Sequence, residues 1–381
     1  MSSDAVRRIH DLPMALCGLI TGGGVSLVRD LLTVPGGSRT VLELSVPYAT
    51  AAVDEAIGNR PDRYCAAQTA RAMAAAAWIR ARAVHDGADG DDERMPVGLG
   101  VTASLASDRP KRGDHRAHLA VVSLGGTSAA TITLAKGARS RVEEDERVSA
   151  AALTLLEAFF SRDPQPAAER FGLSEGDMVT TTAAAFPQAA VAVLSGIVPI
   201  ALHPAADDLP SPADAGWRAV LSGSFNPRHE AHRKMQQAAA AHLGFAVGCE
   251  LPLQNADKPP LDALSLAERL GDFDEPVALS RLPRFDQKAA AMPGTVFVVG
   301  YDTAVRILDA RFYGGPRERD AALGQIRSQG CRFLVADRIA DHGLGSIADL
   351  TLAGAADLFE RLPDFRLDLS STQLRAACES E

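Results

Sequence analysis

Ala219-Val220-Leu221-Ser222-Gly223-Ser224-Phe225-Asn226-Pro227-Arg228-His229-Glu230-Ala231-His232 decides how this chain folds. A short apolar run, which predicts a buried strand, ends in Gly-Ser-Phe-Asn-Pro, and two histidines three residues apart follow. Gly223, Asn226 and Pro227 predict a turn. Arg233 to His242 predict a helix closed by Gly244 as a C′ glycine. A strand, a polar loop and a helix N-terminus make an anion site, because unpaired N–H groups and the helix dipole converge there. A helix starting near Glu230 would put His232 in its first turn and His229 just before it. Both imidazoles could then face one phosphate. Standing alone, two such histidines would be ordinary surface residues.

Around this stretch lies a chain of 381 residues, long enough for two domains. At 46% hydrophobic residues it can build substantial cores. The net charge of −9, with no long basic block, argues against a nucleic-acid partner. The five cysteines, at 17, 65, 249, 331 and 378, are scattered without a C-x-x-C pair, so neither a zinc site nor a disulfide framework is indicated. Arg7-Arg8 precede an apolar run from Leu12 to Val28, but Gly22-Gly23-Gly24 interrupt it. No run reaches the ~18 apolar residues that span a bilayer. These features predict a cytoplasmic protein with no membrane partner.

The first part of the chain alternates strands and helices, as in an α/β layer domain. An apolar segment runs into the triglycine at 22–24, and a helix from Val25 to Leu32 stops before Pro35-Gly36-Gly37. Strands are expected over Val41–Tyr48 and Val97–Leu105, with an alanine-rich helix over Ala66–Val84 between them. A hairpin over 118–135 and an amphipathic helix over Glu143–Phe160 follow. Lys111 to Arg116 is a cationic cluster, either a solvated loop or a phosphate contact. Val179–Ala185 and Ala190–Leu202 could add a strand and a helix to this first domain. The Pro-, Ala- and Asp-rich segment 203–215 reads as a linker. The domains are therefore expected at 1–165 and 216–381, joined by 166–215.

In the second domain, Phe245–Leu253 predicts a second strand, followed by Asn255-Ala256-Asp257-Lys258-Pro259-Pro260 at its carboxyl end. Open α/β sheets bind ligands at that end. Thr295–Gly300 predicts a buried strand leading into Tyr301-Asp302, where Asp302 could either cap the next helix or face a ligand.

The opening stretch resembles the G-x-F-[ND]-P-x-H-x-G-H signature of the nucleotidylyltransferase superfamily, with Ala231 in place of the family glycine. Ser370-Ser371-Thr372-Gln373-Leu374-Arg375 resembles a second signature, S-S-T-x-[IL]-R, and Gly300-x-Asp302 resembles the family's G-x-D element. The resemblance implies a Rossmann-like domain with a parallel sheet, behind an N-terminal α/β domain. It implies adenylyl transfer from ATP, with Mg²⁺ accompanying the triphosphate, to a small phosphorylated acceptor. The implied catalytic residues are His229, His232 and Arg375. The implied nucleotide-binding residues are Gly223, Ser224, Phe225, Asn226, Gly300, Asp302, Ser370, Ser371 and Thr372; metal ligands are unknown.

Residues 12–160 resemble the C-terminal domain of the CinA family, whose active members deamidate nicotinamide mononucleotide. The likeness lies in Thr21-Gly22-Gly23, Val34-Pro35-Gly36-Gly37-Ser38, Tyr48 and Gly100-Val101-Thr102. The family's serine nucleophile falls on Leu19 and its lysine on Val53. A serine without a base is inert, and here both are replaced. Ligand binding, homo-oligomer formation or an activity built on other residues remain for this domain. A CinA-like partner domain makes nicotinamide mononucleotide the expected acceptor, hence NAD synthesis. Phosphopantetheine with ATP or CTP, or a non-catalytic nucleotide-binding role, is the alternative. Adenylyltransferases of that type stack the nicotinamide on an aromatic ring. Trp217 lies before the strand, leaving Phe285, Tyr301, Phe312 and Tyr313.

Overall fold

The computed structural model describes residues 3–85, 92–109, 111–161, 163, 165–204, 208–254, 260–340, 343–350 and 354–367, without the side chains of 338–340, 343, 344, 364, 366 and 367. It is a mixed α/β protein with two sheets, one in each of two compact units. Unit 1 comprises Met1–Phe186 and Asp257–Ala267; unit 2 comprises Pro187–Ala256 and Glu268–Glu381. Among the described residues no helix is long and apolar enough to cross a membrane.

Unit 1 runs α1 (Ser3–His10), β1 (Met14–Thr21), α2 (Ser26–Thr33), β2 (Val41–Ser45), α3 (Thr50–Ile57), α4 (Ala67–His85), β3 (Met95–Ser104), β4 (His115–Ser123), β5 (Gly126–Leu134), α5 (Arg141–Phe160) and β6 (Met178–Ala184). The sheet order is β2-β1-β3-β4-β5-β6, parallel for β2, β1 and β3 and antiparallel beyond. β1 reads Met-Ala-Leu-Cys-Gly-Leu-Ile-Thr without alternation because helices cover both of its faces. The alanine-rich α4 can lie directly on β3 because β3 carries Gly98 and Gly100. A Cβ at Gly98 would stand 2.0 Å from the Ala74 carbonyl oxygen, and one at Gly100 2.1 Å from that of Ala70. α5 opens with a capping box: Ser140 accepts from the Glu143 N–H, and Glu143 accepts from the Ser140 N–H.

The start of α2 is held from across the unit. The Asp145 carboxylate accepts from the N–H groups of Gly24 (2.7 Å), Val25 (3.0 Å) and Ser26 (2.9 Å), and from the Ser26 hydroxyl (2.6 Å). Thr21 ends β1, and Val25 is the N-cap residue of α2. The turn through Gly22 and Gly24, both at positive φ, sets the helix several residues beyond the strand.

Unit 2 runs α6 (Gln188–Ser195), β7 (Ile200–His203), β8 (Ala219–Ser222), α7 (Glu230–Leu243), β9 (Gly248–Pro252), α8 (Ala263–Leu270), β10 (Val277–Ser280), α9 (Phe285–Ala291), β11 (Val296–Gly300), α10 (Tyr301–Leu308), α11 (Pro316–Ser328), β12 (Arg332–Ala340), β13 (Gly343–Gly345) and β14 (Phe359–Leu367), with α8 up to Ala267 belonging to unit 1. The path is β13-β12-β11-β8-β9-β10-β7, with β14 also paired to β12. β8 to β12 and β14 pair in parallel, whereas β7 and β13 are antiparallel edges. Phe285, Phe297, Phe333 and Phe359 form the aromatic centre of the core. Within it, Lys288 donates to Glu250 at 2.6 Å, both side chains almost fully buried, and Ser280 also bonds Glu250.

The division of the chain differs from the expected one. β6 joins the unit 1 sheet, but Ala190–Leu202 is not one helix: it is α6, a turn and β7, which pairs with β10. The change of unit falls at Phe186/Pro187, ahead of the Pro-rich segment read as the linker. Part of that segment is packed: Leu202 N–H donates to the Pro210 carbonyl and Trp217 N–H to that of Pro212.

Replacing Asp145 by alanine leaves three backbone donors and a hydroxyl without their acceptor. The expected loss is about 2 kcal/mol or more, read as a lower urea midpoint. A midpoint equal to that of the wild type would show that water replaces the carboxylate at no cost.

Candidate active site at the carboxyl edge of the unit 2 sheet

β8 ends at Ser222, and the next seven residues turn the chain into α7. Phe225 fixes the turn. It is buried at 1% exposure, stands at φ 40, and lays its ring over Gly223, where a Cβ would lie 3.0 Å from the ring. Its ring also meets Phe273 and His232 edge-on, each at 5.1 Å between centroids. The Asn226–Pro227 peptide is cis. Ser224 and Asn226 are exposed, and the Ser224 carbonyl accepts from Arg269 at 2.7 Å.

Arg228 follows, and its role carried no signal in the sequence. Its guanidinium is buried, forms a two-pronged pair with Glu275 (2.6 and 3.1 Å), donates to Gln236 (2.7 Å) and lies 4.4 Å over the Phe273 ring. Its N–H donates to Asp272. Residues 272–275 therefore clamp the loop from outside. Burial pushes the Glu275 carboxyl up, but the bonds to Arg228 outweigh it and hold it below the ordinary carboxylate range. Arg228 is consumed by this clamp and is not a free cation for a ligand.

α7 begins at Glu230, with His229 as its N-cap residue, His232 in its first turn and Gly244 closing it at φ 75. The two rings stack 3.8 Å apart. The His229 N–H donates to Nδ1 of His232 at 3.3 Å. Nδ1 is thus an acceptor, and the proton of a neutral His232 sits on Nε2. Burial pushes the His232 imidazole down to about 3, helped by the nearby His229 and Arg228 charges, and burial lowers His229 as well. At neutral pH the pair is uncharged, and His232 offers Nε2–H as a donor.

β11 is the parallel neighbour of β8, with Val298 opposite Leu221. The two strands end at the same carboxyl edge of the sheet, β8 at Ser222 and β11 at Gly300. Gly300 is the N-cap of α10, so Asp302 is not the cap; it is an exposed acid in the helix's first turn. The fold therefore brings Gly223, Ser224, Phe225, Asn226, His229, His232, Gly300 and Asp302 to one edge. Ser370, Ser371, Thr372 and Arg375, and the segment 255–259, lie outside the described residues. Among the described residues no group of three or more His, Cys, Asp or Glu is placed to hold a metal ion.

The aromatic candidates separate by position. Phe285 is in the core, Tyr313 is buried, and Phe312 faces the Arg306 guanidinium. Trp217 covers Gly248, at the amino end of β9 and away from the loop. Tyr301, half-buried against Gly345, is the one at the carboxyl edge.

In unit 1, Leu19 and Val53 meet in one apolar cluster with Ile57 and Met73. The Lys111–Arg116 segment is used internally: Lys111 donates to Ser104 and to the Leu105 carbonyl, and Arg116 pairs with Asp114.

Solved structures similar to this chain include CinA-type competence/damage-inducible proteins, which cover 42% of it. The protein CihA from Agrobacterium tumefaciens is 20% identical over 93% of its own length, with a TM-score of 0.33. A competence or damage-inducible protein from Enterobacter asburiae is 17% identical over 96% of its length, with a TM-score of 0.32. A CinA superfamily protein from Klebsiella pneumoniae is 11% identical over 96% of its length, with a TM-score of 0.34. No family model and no curated protein sequence matches the chain.

His232 is held unprotonated below its ordinary value, so between about pH 6.5 and 3 the unfolded chain takes up a proton that the folded one refuses. Its contribution is intact above that window and is lost as pH falls through it. His232→Gln is expected to lose less stability than the wild type between pH 7.5 and pH 5, measured as the shift in urea midpoint. Parallel losses in both proteins would remove His232 from the acid response.

Proposed function

We propose that unit 2 is a nucleotidylyltransferase that moves an adenylyl group from MgATP to a small phosphorylated acceptor, nicotinamide mononucleotide foremost, with release of pyrophosphate. One observation carries the reading: two stacked, uncharged histidines open a helix immediately after the loop that ends a parallel strand. A helix start favours anions, and neutral imidazoles can donate to phosphate without a buried ion pair to break. The sequence signature at 223–232 and the Ser370–Arg375 signature support the same reading.

The reaction asks little covalent chemistry of the protein. An acceptor phosphate oxygen attacks the α-phosphorus, forming one P–O bond, while the bond to the bridging oxygen breaks and pyrophosphate takes the electron pair. Catalysis is then positioning and charge stabilisation. His232 donates Nε2–H to a non-bridging α-phosphate oxygen, and His229 serves the β,γ side. Ser371, Thr372 and Arg375 hold the leaving pyrophosphate. Mg²⁺ arrives with the triphosphate, on whose oxygens it is carried.

ATP and CTP offered with nicotinamide mononucleotide, nicotinate mononucleotide and phosphopantetheine, with products weighed by mass spectrometry, test the reading. The expected product is NAD. His232→Ala is expected to lower kcat by about a hundredfold or more with the fold intact, the usual cost of one preorganised donor. Tight ATP binding with no pyrophosphate from any pair would instead favour a nucleotide-binding regulatory protein, the reading to which Ala231 also points.

Unit 1 is expected to release no ammonia from nicotinamide mononucleotide. Leu19 cannot attack an amide, and Val53, buried beside it, cannot accept a proton. The assay uses the full chain. Ammonia release abolished by Thr21→Ala would mean a threonine-based amidase.

A further inference from the structure

Several charged groups of unit 1 at places where a phosphate could sit are already engaged. The start of α2 holds the Asp145 carboxylate, and Lys111 is bound to Ser104 and to the Leu105 carbonyl. Arg141 donates to the carbonyls of Ala106 (2.9 Å) and Gly22 (3.0 Å). A cavity of about 460 Å³ is bounded by β1, β2, α3 and α4. That volume lies in the range of small-molecule sites.

Its chemistry is specific. Alanines of α3 and α4 and Leu19 form an apolar wall, and Cys17, Glu43, Ser45, Glu55 and Arg80 supply the polar atoms. The cation is neutralised: Arg80 Nε donates to Glu43 at 2.8 Å, and Ser45 bonds the other oxygen of Glu43. Cys17 is a neutral thiol, pushed up to about 11 by burial and then by the Glu43 charge, so it adds no anion and no nucleophile. Glu55 is exposed to the cavity mouth, and no described residue pairs with its side chain. With Glu43 and Arg80 cancelling, the cavity carries one uncompensated negative charge over an apolar wall. An entering phosphate would meet two carboxylates and a guanidinium already taken.

We propose that this cavity is a binding site for a small apolar molecule bearing an ammonium group, its body against Leu19 and the alanines and its cation at Glu55. The site is independent of nucleotidyl transfer in unit 2.

Calorimetric titrations of the full chain with benzylamine, benzyl alcohol and benzyl phosphate at neutral pH test it, since the three share a ring and differ in charge. Benzylamine is expected to bind about threefold to fivefold tighter than the alcohol, the scale of one exposed charge pair. Glu55→Gln, a surface change, should remove that preference and leave the alcohol's affinity in place. Ala76→Phe should fill the cavity and remove binding of both. The proposal is overturned if no probe binds, if the amine preference survives Glu55→Gln, or if benzyl phosphate binds as tightly as the amine in a manner that Ala76→Phe abolishes.

Discussion

The N–H groups that open a helix have no partner within it and must find an acceptor. In unit 1 the acceptor is a carboxylate of the protein itself: Asp145 takes three N–H groups and a hydroxyl at the start of α2. The same contact ties α2 to α5 and shapes the triglycine turn between β1 and α2. A glycine-rich loop leading into a helix is the usual form of a phosphate cradle, but this cradle already holds its anion. At α7 the residues around the helix start are imidazoles, and the side chain that accepts from the His229 N–H is the His232 ring, which carries no charge at neutral pH. The two helix starts thus differ in what they ask of a ligand.

The imidazole pair depends on a support built around Arg228 and Phe225. Glu275, Gln236, Asp272 and Phe273 hold Arg228 and its backbone, and Phe273 holds Phe225, whose ring stands against His232. The loop is rigid because a buried guanidinium must keep its partners; leaving it unpaired costs far more than an exposed pair would gain. The charge is placed beside the site, where it lowers the proton affinity of His232 without occupying the ligand's space.

Much of this was legible in the sequence. The strand–loop–helix at 219–243 could be read because its signals are local: an apolar run, turn residues and a closing glycine. The helices over 67–85 and 141–160 were legible from length and periodicity. α3, β10 and α9 are too short for a periodic pattern to stand out. β7 was folded into an expected helix because four apolar residues look alike in either state, and only β10, far along the chain, makes them a strand. The Arg228 clamp joins residues 44–47 positions apart, and no spacing rule marks such a pair. The sequence left Asp302 open between a cap and a ligand contact; Gly300, two residues earlier, takes the cap position, leaving the acid exposed in the first turn.

β7 has a consequence for the history of the chain. By sequence, the second half looks like a portable cassette beginning near Trp217. In the fold, β7 covers the edge of β10, and described residues 260–267 belong to the other unit, so the chain changes unit at 186/187 and again at 267/268. A gene fragment starting at 216 would encode a sheet with a bare flank, open to pairing with any strand it met. Recombination at the Pro-rich segment would part β7 from the strand it pairs with, so the exchangeable cassette of this chain begins ahead of that segment, not after it.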